Sequence, residues 1–164
     1  MKTRIAFLFA AGVLAGCASR PSDTPTVHAP EKPARVERKA ELPEAQASHA
    51  STVDGYKRDL ALRISEVNAS KVYSGRPQAL LRSVVVLRYA VGARGNLVRS
   101  EIMRSNRDSE TESTALATLR NSAPFPKPAS HLLRRGQVEL SETWLFNNDG
   151  RFQLRTVAQP QMDH

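Results

Sequence analysis

The sequence is poor in the residues that build cross-links and catalytic centres. Its 164 residues include one cysteine, Cys17, and four histidines. A disulfide within one chain needs two cysteines, so this kind of cross-link is excluded. Aromatic residues make up 5% of the chain, which allows a modest core and offers few rings for stacking on nucleic-acid bases.

The apolar run near the amino terminus is too short to cross a membrane as a stable helix. It covers Ile5–Leu14 and follows the basic residues Lys2 and Arg4, an arrangement typical of a secretory signal peptide. The run ends in Leu14-Ala-Gly-Cys17, which resembles the lipobox of bacterial lipoproteins. The alternative is an ordinary signal peptide followed by an incidental cysteine.

The lipobox resemblance implies that residues 1–16 are removed and that Cys17 becomes a lipidated amino terminus carrying diacylglycerol and a further acyl chain, such as palmitate. Each buried methylene contributes about 0.8 kcal/mol, so two or three chains hold a protein stably on a membrane. No thiol then remains for metal binding or nucleophilic attack. In proteobacterial lipoproteins, a residue such as Ala18 after the cysteine favours the inner leaflet of the outer membrane, facing the periplasm.

A lipid-anchored linker is predicted for residues 17–53. This segment is rich in Pro, Ala, Ser, Glu and Lys and has almost no large apolar residue, a composition typical of disorder. As a flexible coil it has an rms span of about 30–36 Å, which keeps the folded part near its own membrane. We expect His28 and His49, which lie in this segment, to be solvated.

A β-hairpin is predicted at the centre of the folded part, residues 54–157. The valine-rich run Arg82–Val91 precedes a break at Gly92–Asn96, whose glycines and asparagine tolerate the positive φ of a tight turn. Alternation places four residues of the first strand on one face: Val85, Leu87, Tyr89 and Val91. In the second strand Leu97 and Ile102 are five residues apart, so regular alternation would place them on opposite faces. We therefore predict a bulge that brings both to the core side.

Two amphipathic helices are predicted, one on each side of the hairpin in the sequence. The first covers about 54–68 and has apolar residues at helical spacing: Tyr56, Leu60, Ile64 and Val67. Its stripe either covers the sheet or binds a partner. The second begins at Ser109-Glu-Thr-Glu112, which fits a capping box, and must end at Pro124. Its stripe consists of Ala115, Leu116, Leu119 and Ala123.

The remaining segments complete a small sheet. The proline-rich run Pro124–Pro128 fits either a rigid strap or a polyproline ligand for a partner. A third strand is predicted at Gln137–Asn147 and a fourth at Arg151–Val157, with a frayed tail at 158–164. The order predicts an α+β fold: a small, largely antiparallel sheet of three to four strands with two helices on one face.

This order resembles the carboxy-terminal domain of the TonB family of energy transducers, a fold close to that of TolA. The resemblance covers about Tyr73–Phe146 and rests on the hairpin, the apolar second helix and the Phe-Pro-x-Pro run. It implies a non-catalytic periplasmic domain that binds outer-membrane transport receptors or other envelope proteins by accepting an extended peptide at the sheet edge. The implied partner-binding residues are Val138, Leu140, Glu142, Trp144, Phe146, Phe125, Pro126 and Pro128.

The chain departs from this family in ways that bear on function. A lipid anchor replaces the amino-terminal transmembrane helix through which the transducers contact their inner-membrane motor. The family's Tyr-Pro start is reduced to Tyr73-Ser74-Gly75, and the arm Arg151–Val157 could close the edge that a ligand would use. Peptide binding is therefore a better expectation than energy transduction. The resemblance also implies a link to TonB-dependent transport.

A structural envelope lipoprotein is the alternative function. The formal net charge is +8, and five arginines gather around the hairpin: Arg88, Arg94, Arg99, Arg104 and Arg107. They could hold peptidoglycan or another anionic surface. No Ser, His and Asp cluster is apparent, and His131 and His164 lie in a loop and at the chain end, so we predict no enzyme, cofactor or metal. An envelope location excludes nucleic acid as a partner.

Overall fold

The computed structural model of the protein describes residues 45–161. Its helices and strands are α1 (Val53–Val67), β1 (Ser83–Gly92), β2 (Leu97–Arg104), α2 (Ser109–Asn121), β3 (Gln137–Phe146) and β4 (Phe152–Leu154). The strands form one antiparallel sheet in the order β2-β1-β3-β4. The predicted α+β fold is confirmed. The signal peptide, Cys17, Ala18, His28 and residues 162–164 lie outside the described range, as does the predicted linker up to residue 44.

Both helices pack on the same face of the sheet and form one core with it. The buried residues of α1 are Tyr56, Leu60, Ala61 and Ile64. In α2, Ala115 and Leu119 are buried beside Thr111 and Thr118. The stripe of α1 thus covers the sheet, the first of the two predicted alternatives, whereas Val67 at its end is 39% exposed.

The hairpin contains the predicted bulge and a second one. Ala90 pairs with Arg99 while Val91 pairs with Leu97, so Val98 is the extra residue that restores a common face to Leu97 and Ile102. The second irregularity lies at Met103. Leu97 packs against the core, but Ile102 is 37% exposed. The expected core burial of Ile102 is wrong because β2 is the outermost strand and α2 packs mainly on β1.

The start of α2 differs from the predicted capping box. Asp108, not Ser109, caps the helix by accepting from the N–H groups of Glu110 and Thr111, both at 3.2 Å. These bonds lower the pKa of Asp108 below its usual range, and the bond from Thr111 has the largest effect. The nearby Arg82 guanidinium lowers the pKa further. Glu112 instead accepts a hydrogen bond from the Ser105 hydroxyl. The capping-box prediction is wrong because an aspartate one residue earlier offers the better cap.

Polar groups inside the core tie the two helices and the sheet together. Asn68 Nδ2 donates to the Ile64 carbonyl (2.8 Å) at the end of α1 and to the Ser122 hydroxyl (3.1 Å) at the end of α2. Trp144 Nε1 on β3 donates to the Thr118 hydroxyl (3.1 Å). These bonds satisfy polar groups that would be costly to bury alone, and they fix how the helices sit over the sheet.

The proline-rich run acts as a strap across one end of the sheet. Phe125 is fully buried, and its ring stacks on Tyr89 with centroids 6.4 Å apart. Its N–H donates to the Gly95 carbonyl in the hairpin turn (2.8 Å), and the Tyr56 hydroxyl donates to the Pro126 carbonyl (2.7 Å). The contacts agree with the first predicted alternative for this run, a rigid strap.

The residues just before α1 also contact the strap. Lys127 N–H donates to the Gln46 carbonyl (2.8 Å), and Ser48 N–H donates to the Lys127 carbonyl (2.9 Å), so the two segments pair in parallel. The Ser48 hydroxyl donates to Asp59 in α1 (2.5 Å). Residues 46–48, which composition assigned to the linker, therefore lie against the folded module through main-chain bonds that composition does not reveal.

The beginning of the predicted frayed tail is held in the same way. Arg76 donates to the carbonyl groups of Pro160 (3.0 Å) and Gln161 (2.9 Å). The Gln161 side chain in turn donates to the Gln78 carbonyl (2.6 Å). The chain after β4 is therefore fixed to the loop before β1 as far as it is described.

Replacing Gly95 by alanine should weaken the fold more than the same change at Gly136. Both glycines have a positive φ, +83° and +80°, which costs an alanine about 1–2 kcal/mol. At Gly95 the new Cβ would also lie 2.0 Å from the Phe125 carbonyl oxygen, whereas no atom lies within 4 Å at Gly136. We expect urea denaturation to show a loss of about 3–4 kcal/mol for Gly95→Ala and about 1–2 kcal/mol for Gly136→Ala. Equal losses of stability in the two variants would show that the close approach of Gly95 to the Phe125 carbonyl does not contribute.

The three tyrosines of the chain should remain protonated until the protein unfolds at high pH. Tyr56, Tyr73 and Tyr89 are all buried, and burial raises the pKa of each, to about 12 for Tyr73. An unfolded tyrosine has a pKa of about 10. The protonated tyrosines therefore stabilise the folded state fully below about pH 10, and this stabilisation is lost as the pH rises towards about 12. Phenolate absorbance should appear together with the loss of circular dichroism. Phenolate formation near pH 10 in protein that stays folded would contradict this.

Candidate functional site

The predicted partner-binding side chains on β3 face the helices. Each is at most 5% exposed: Val138, Leu140, Glu142, Trp144 and Phe146. In the strap, Phe125 and Pro128 are buried and Pro126 is half-buried. A partner could therefore reach β3 through its main chain, while these side chains hold the strand in place.

One edge of β3 is covered at both ends and open between them. β4 pairs with Trp144–Phe146, and the Arg155 N–H donates to the Thr143 carbonyl (2.9 Å). At the other end Gln137 and Arg134 exchange hydrogen bonds of 2.8 and 3.2 Å across a tight turn. Residues 138–142 therefore form a short stretch that no strand of the described chain covers on this side.

Two residues of this stretch point their main-chain groups towards the open side. The Thr143 carbonyl and the Asn147 N–H both bond on the β4 side of the strand. Because main-chain groups of successive strand residues face opposite edges, those of Glu139 and Ser141 face the same way as those of Thr143. Each of these two residues presents one N–H donor and one carbonyl acceptor there.

The other edges of the sheet are less suited to an added strand. The outer side of β4 is occupied, since Tyr73 N–H donates to the Phe152 carbonyl (3.3 Å) and Gln153 Nε2 donates to the Tyr73 carbonyl (2.8 Å). β2 is an edge strand, but it carries irregularities at Val98 and Met103. Bulges of this kind twist an edge and discourage pairing.

A groove of about 520 Å³ adjoins the beginning of β3. Val53 and Leu132 supply apolar wall, and Gln137–Glu139 contribute the strand side. Arg134 and Arg135 line the groove, are exposed, and form no ion pair within residues 45–161. The groove is therefore a basic site at the end of the open strand.

The outer face of the sheet carries an ion-pair network. Arg88 lies 2.6 Å from Glu101 and 3.7 Å from Glu139, and Arg99 lies 2.8 Å from Glu139. Two of the five hairpin arginines thus already have acidic partners within the fold. Arg94, Arg104 and Arg107 are exposed and have no ion-pair partner in the described part of the chain.

Glu142 is a charged residue in the core. It is 1% exposed, and its Oε1 accepts from the Thr143 N–H (2.7 Å). Its Oε2 has no hydrogen-bond partner among the described residues, and neither has the nearby buried Tyr89 hydroxyl. Burial raises the pKa of Tyr89, and the Glu142 charge raises it further. The burial of Glu142 can be inferred from the sequence, because strand alternation places it on the inward face between Leu140 and Trp144.

The described range offers little to support metal binding or membrane crossing. Between residues 45 and 161, no group of His, Cys, Asp and Glu side chains could hold a metal ion. No helix there has the length and apolar character needed to cross a membrane. His131 is exposed, with its Nε2 2.8 Å from the Ser51 carbonyl oxygen.

Comparisons of the chain with protein-family models, curated proteins and solved structures found no match.

Replacing Glu142 by glutamine should stabilise the protein at neutral pH. Glutamine keeps an acceptor for the Thr143 N–H and removes a buried charge, so we expect the free energy of unfolding to rise by about 1 kcal/mol. Glu139→Gln, on the same strand but exposed and paired with Arg99, is the control and should change it by less than about 1 kcal/mol. Urea denaturation of both variants measures the difference. A fall for Glu142→Gln would show that the charge has a favourable partner.

Proposed function

We propose that this protein is a non-catalytic binding module of the bacterial envelope. In this proposal, an extended peptide from an outer-membrane transport receptor or another envelope protein adds as a strand beside β3. The observation that carries the proposal is the open stretch in which Glu139 and Ser141 direct their main-chain groups away from β1. Strand addition is an established way for a sheet edge to bind a peptide.

The size of the open stretch sets the strength of binding. Glu139 and Ser141 together offer two donors and two acceptors, and each intramolecular hydrogen bond has a net value of about 0.5–1.5 kcal/mol. β4 and the Arg134–Gln137 turn limit the stretch at its two ends. We therefore infer weak, reversible recognition that depends on additional contacts in the neighbouring groove.

The sequence supports a location at the membrane. A lipidated Cys17 would anchor the chain in the inner leaflet of the outer membrane, and the linker would let the module search the adjoining periplasm. A lipid anchor cannot relay motion from an inner-membrane motor through a helix. The proposed role is therefore recognition, without energy transduction.

A structural role at an anionic surface such as peptidoglycan is the second candidate. The exposed side chains of Arg94, Arg104 and Arg107, which have no ion-pair partner within the part of the chain that is described, favour it. The pairing of Arg88 and Arg99 with Glu101 and Glu139 weighs against it. Added salt separates the two candidates, because it screens exposed charges but leaves main-chain pairing largely intact.

Amide hydrogen exchange of the full chain tests the proposal. Peptides from the periplasmic amino-terminal segments of outer-membrane receptors should slow exchange at Glu139 and Ser141, because these N–H groups gain acceptors, and the effect should persist at moderate salt. Exchange at Ser100 and Ile102 on β2 is the internal control and should not change.

Peptides methylated on alternate main-chain nitrogens provide a matched chemical control. One methylation pattern removes the donors that face β3 and should abolish protection, whereas the complementary pattern should retain it. Protection at β2 alone, or none with any peptide, would refute strand addition at β3.

A further inference from the structure

The basic groove beside β3 suggests what the peptide must contain. Resting on the proposed function, we propose that Arg134 and Arg135 bind a carboxylate of the incoming peptide and so select acidic sequences. The open main-chain stretch would provide general affinity for extended peptides, and the two arginines would provide selectivity.

The turn between Arg134 and Gln137 holds the arginines at a fixed place. Arg135 has φ +52° and Gly136 has φ +80°, and positive φ at both central residues is the signature of a type I′ hairpin turn. The Arg134 N–H donates to the Gln137 carbonyl at 2.8 Å, and the Gln137 N–H donates back at 3.2 Å. The turn thus presents both side chains beside the first residues of β3.

The charge in this groove is not balanced by the fold. Its acidic lining residue, Glu139, already binds Arg99 at 2.8 Å. Arg134 and Arg135 have no ion-pair partner within residues 45–161, and the exposed ring of His131 lies on the same groove. A guanidinium can bind a carboxylate through two parallel hydrogen bonds. An acidic group is therefore the ligand that complements this site.

The distances match a single extended peptide. Strand residues are spaced by about 3.3 Å, so Ser141 and Gln137 are separated by about 13 Å along β3. A peptide that pairs with Ser141 and Glu139 and continues in the same direction reaches the Arg134–Gln137 turn within a few residues. Its carboxylate, from an acidic side chain or from the carboxyl terminus, would then lie beside the arginines.

Selection from a random peptide display library on the full chain tests this inference. We expect enriched peptides to contain Asp or Glu at one end of an extended apolar or β-branched segment. The charge-reversed double variant Arg134→Glu with Arg135→Glu should lose this enrichment and favour Lys or Arg. The matched control, Arg104→Glu with Arg107→Glu, makes the same change in net charge at the far end of β2 and just after it, and should keep the acidic preference.

The outcomes in which peptides are enriched distinguish the two proposals. Enrichment without acidic preference, or acidic preference lost equally in the control variant, would overturn the role of the two arginines but leave strand recognition standing. No enrichment of any peptide would overturn both. A fold-stability measurement on each double variant distinguishes a change in the groove from a loss of folding. We expect both variants to fold, because all four substituted residues are exposed.

Synthetic versions of the best peptide distinguish the sources of the carboxylate. Replacing its acidic residue by the matching amide should weaken binding about three- to tenfold if the side chain is recognised. Amidation of the carboxyl terminus should cause this loss instead if the terminus is recognised. If neither change weakens binding, the arginines do not bind a carboxylate.

Discussion

The pairing of β3 with β1 is the constraint on which the rest of the structure depends. The two strands match over ten residue pairs, from Ser83 with Phe146 to Gly92 with Gln137, although they lie far apart in the sequence. This register fixes which side chains of β3 face inward, and α1 and α2 cover that face. It also turns alternate main-chain groups of β3 away from β1, so the candidate edge is a direct consequence of the central pairing.

Other segments contact the sheet at both ends of that pairing. Phe125 packs on Tyr89 and bonds to the Gly95 carbonyl, so the strap ties the hairpin turn to the core. β4 closes the opposite end through Trp144–Phe146. The open part of β3 lies between β4 and the Arg134–Gln137 turn, which are both held by main-chain hydrogen bonds. This arrangement favours binding because an ordered edge has little conformational entropy to lose.

Glu142 is the place where the fold departs from what stability alone would favour. Its neighbours on the inward face of β3 are apolar, and a buried carboxylate is costly when one of its oxygens has no hydrogen-bond partner among residues 45–161. Local conflicts of this kind are expected at functional positions more than elsewhere. Glu142 lies one residue from Ser141, so its hydrogen bond to the Thr143 N–H fixes the main chain directly beside the open stretch.

The sequence by itself determined the α+β class, the hairpin with its bulge near Val98, and the inward positions of Val85, Leu87 and Tyr89. These features depend on local periodicity and turn chemistry, which are determined by residues close together in the sequence. It did not reveal the Asp108 cap, the pairing of residues 46–48 with the strap, or the exposure of Ile102. The tertiary structure alone decided how little of β3 is covered by β4, Trp144–Phe146, and that Arg134 and Arg135 flank the remainder. Pairing between distant segments is set by main-chain bonds and by the way helices fill one face, and neither leaves a local pattern in the sequence.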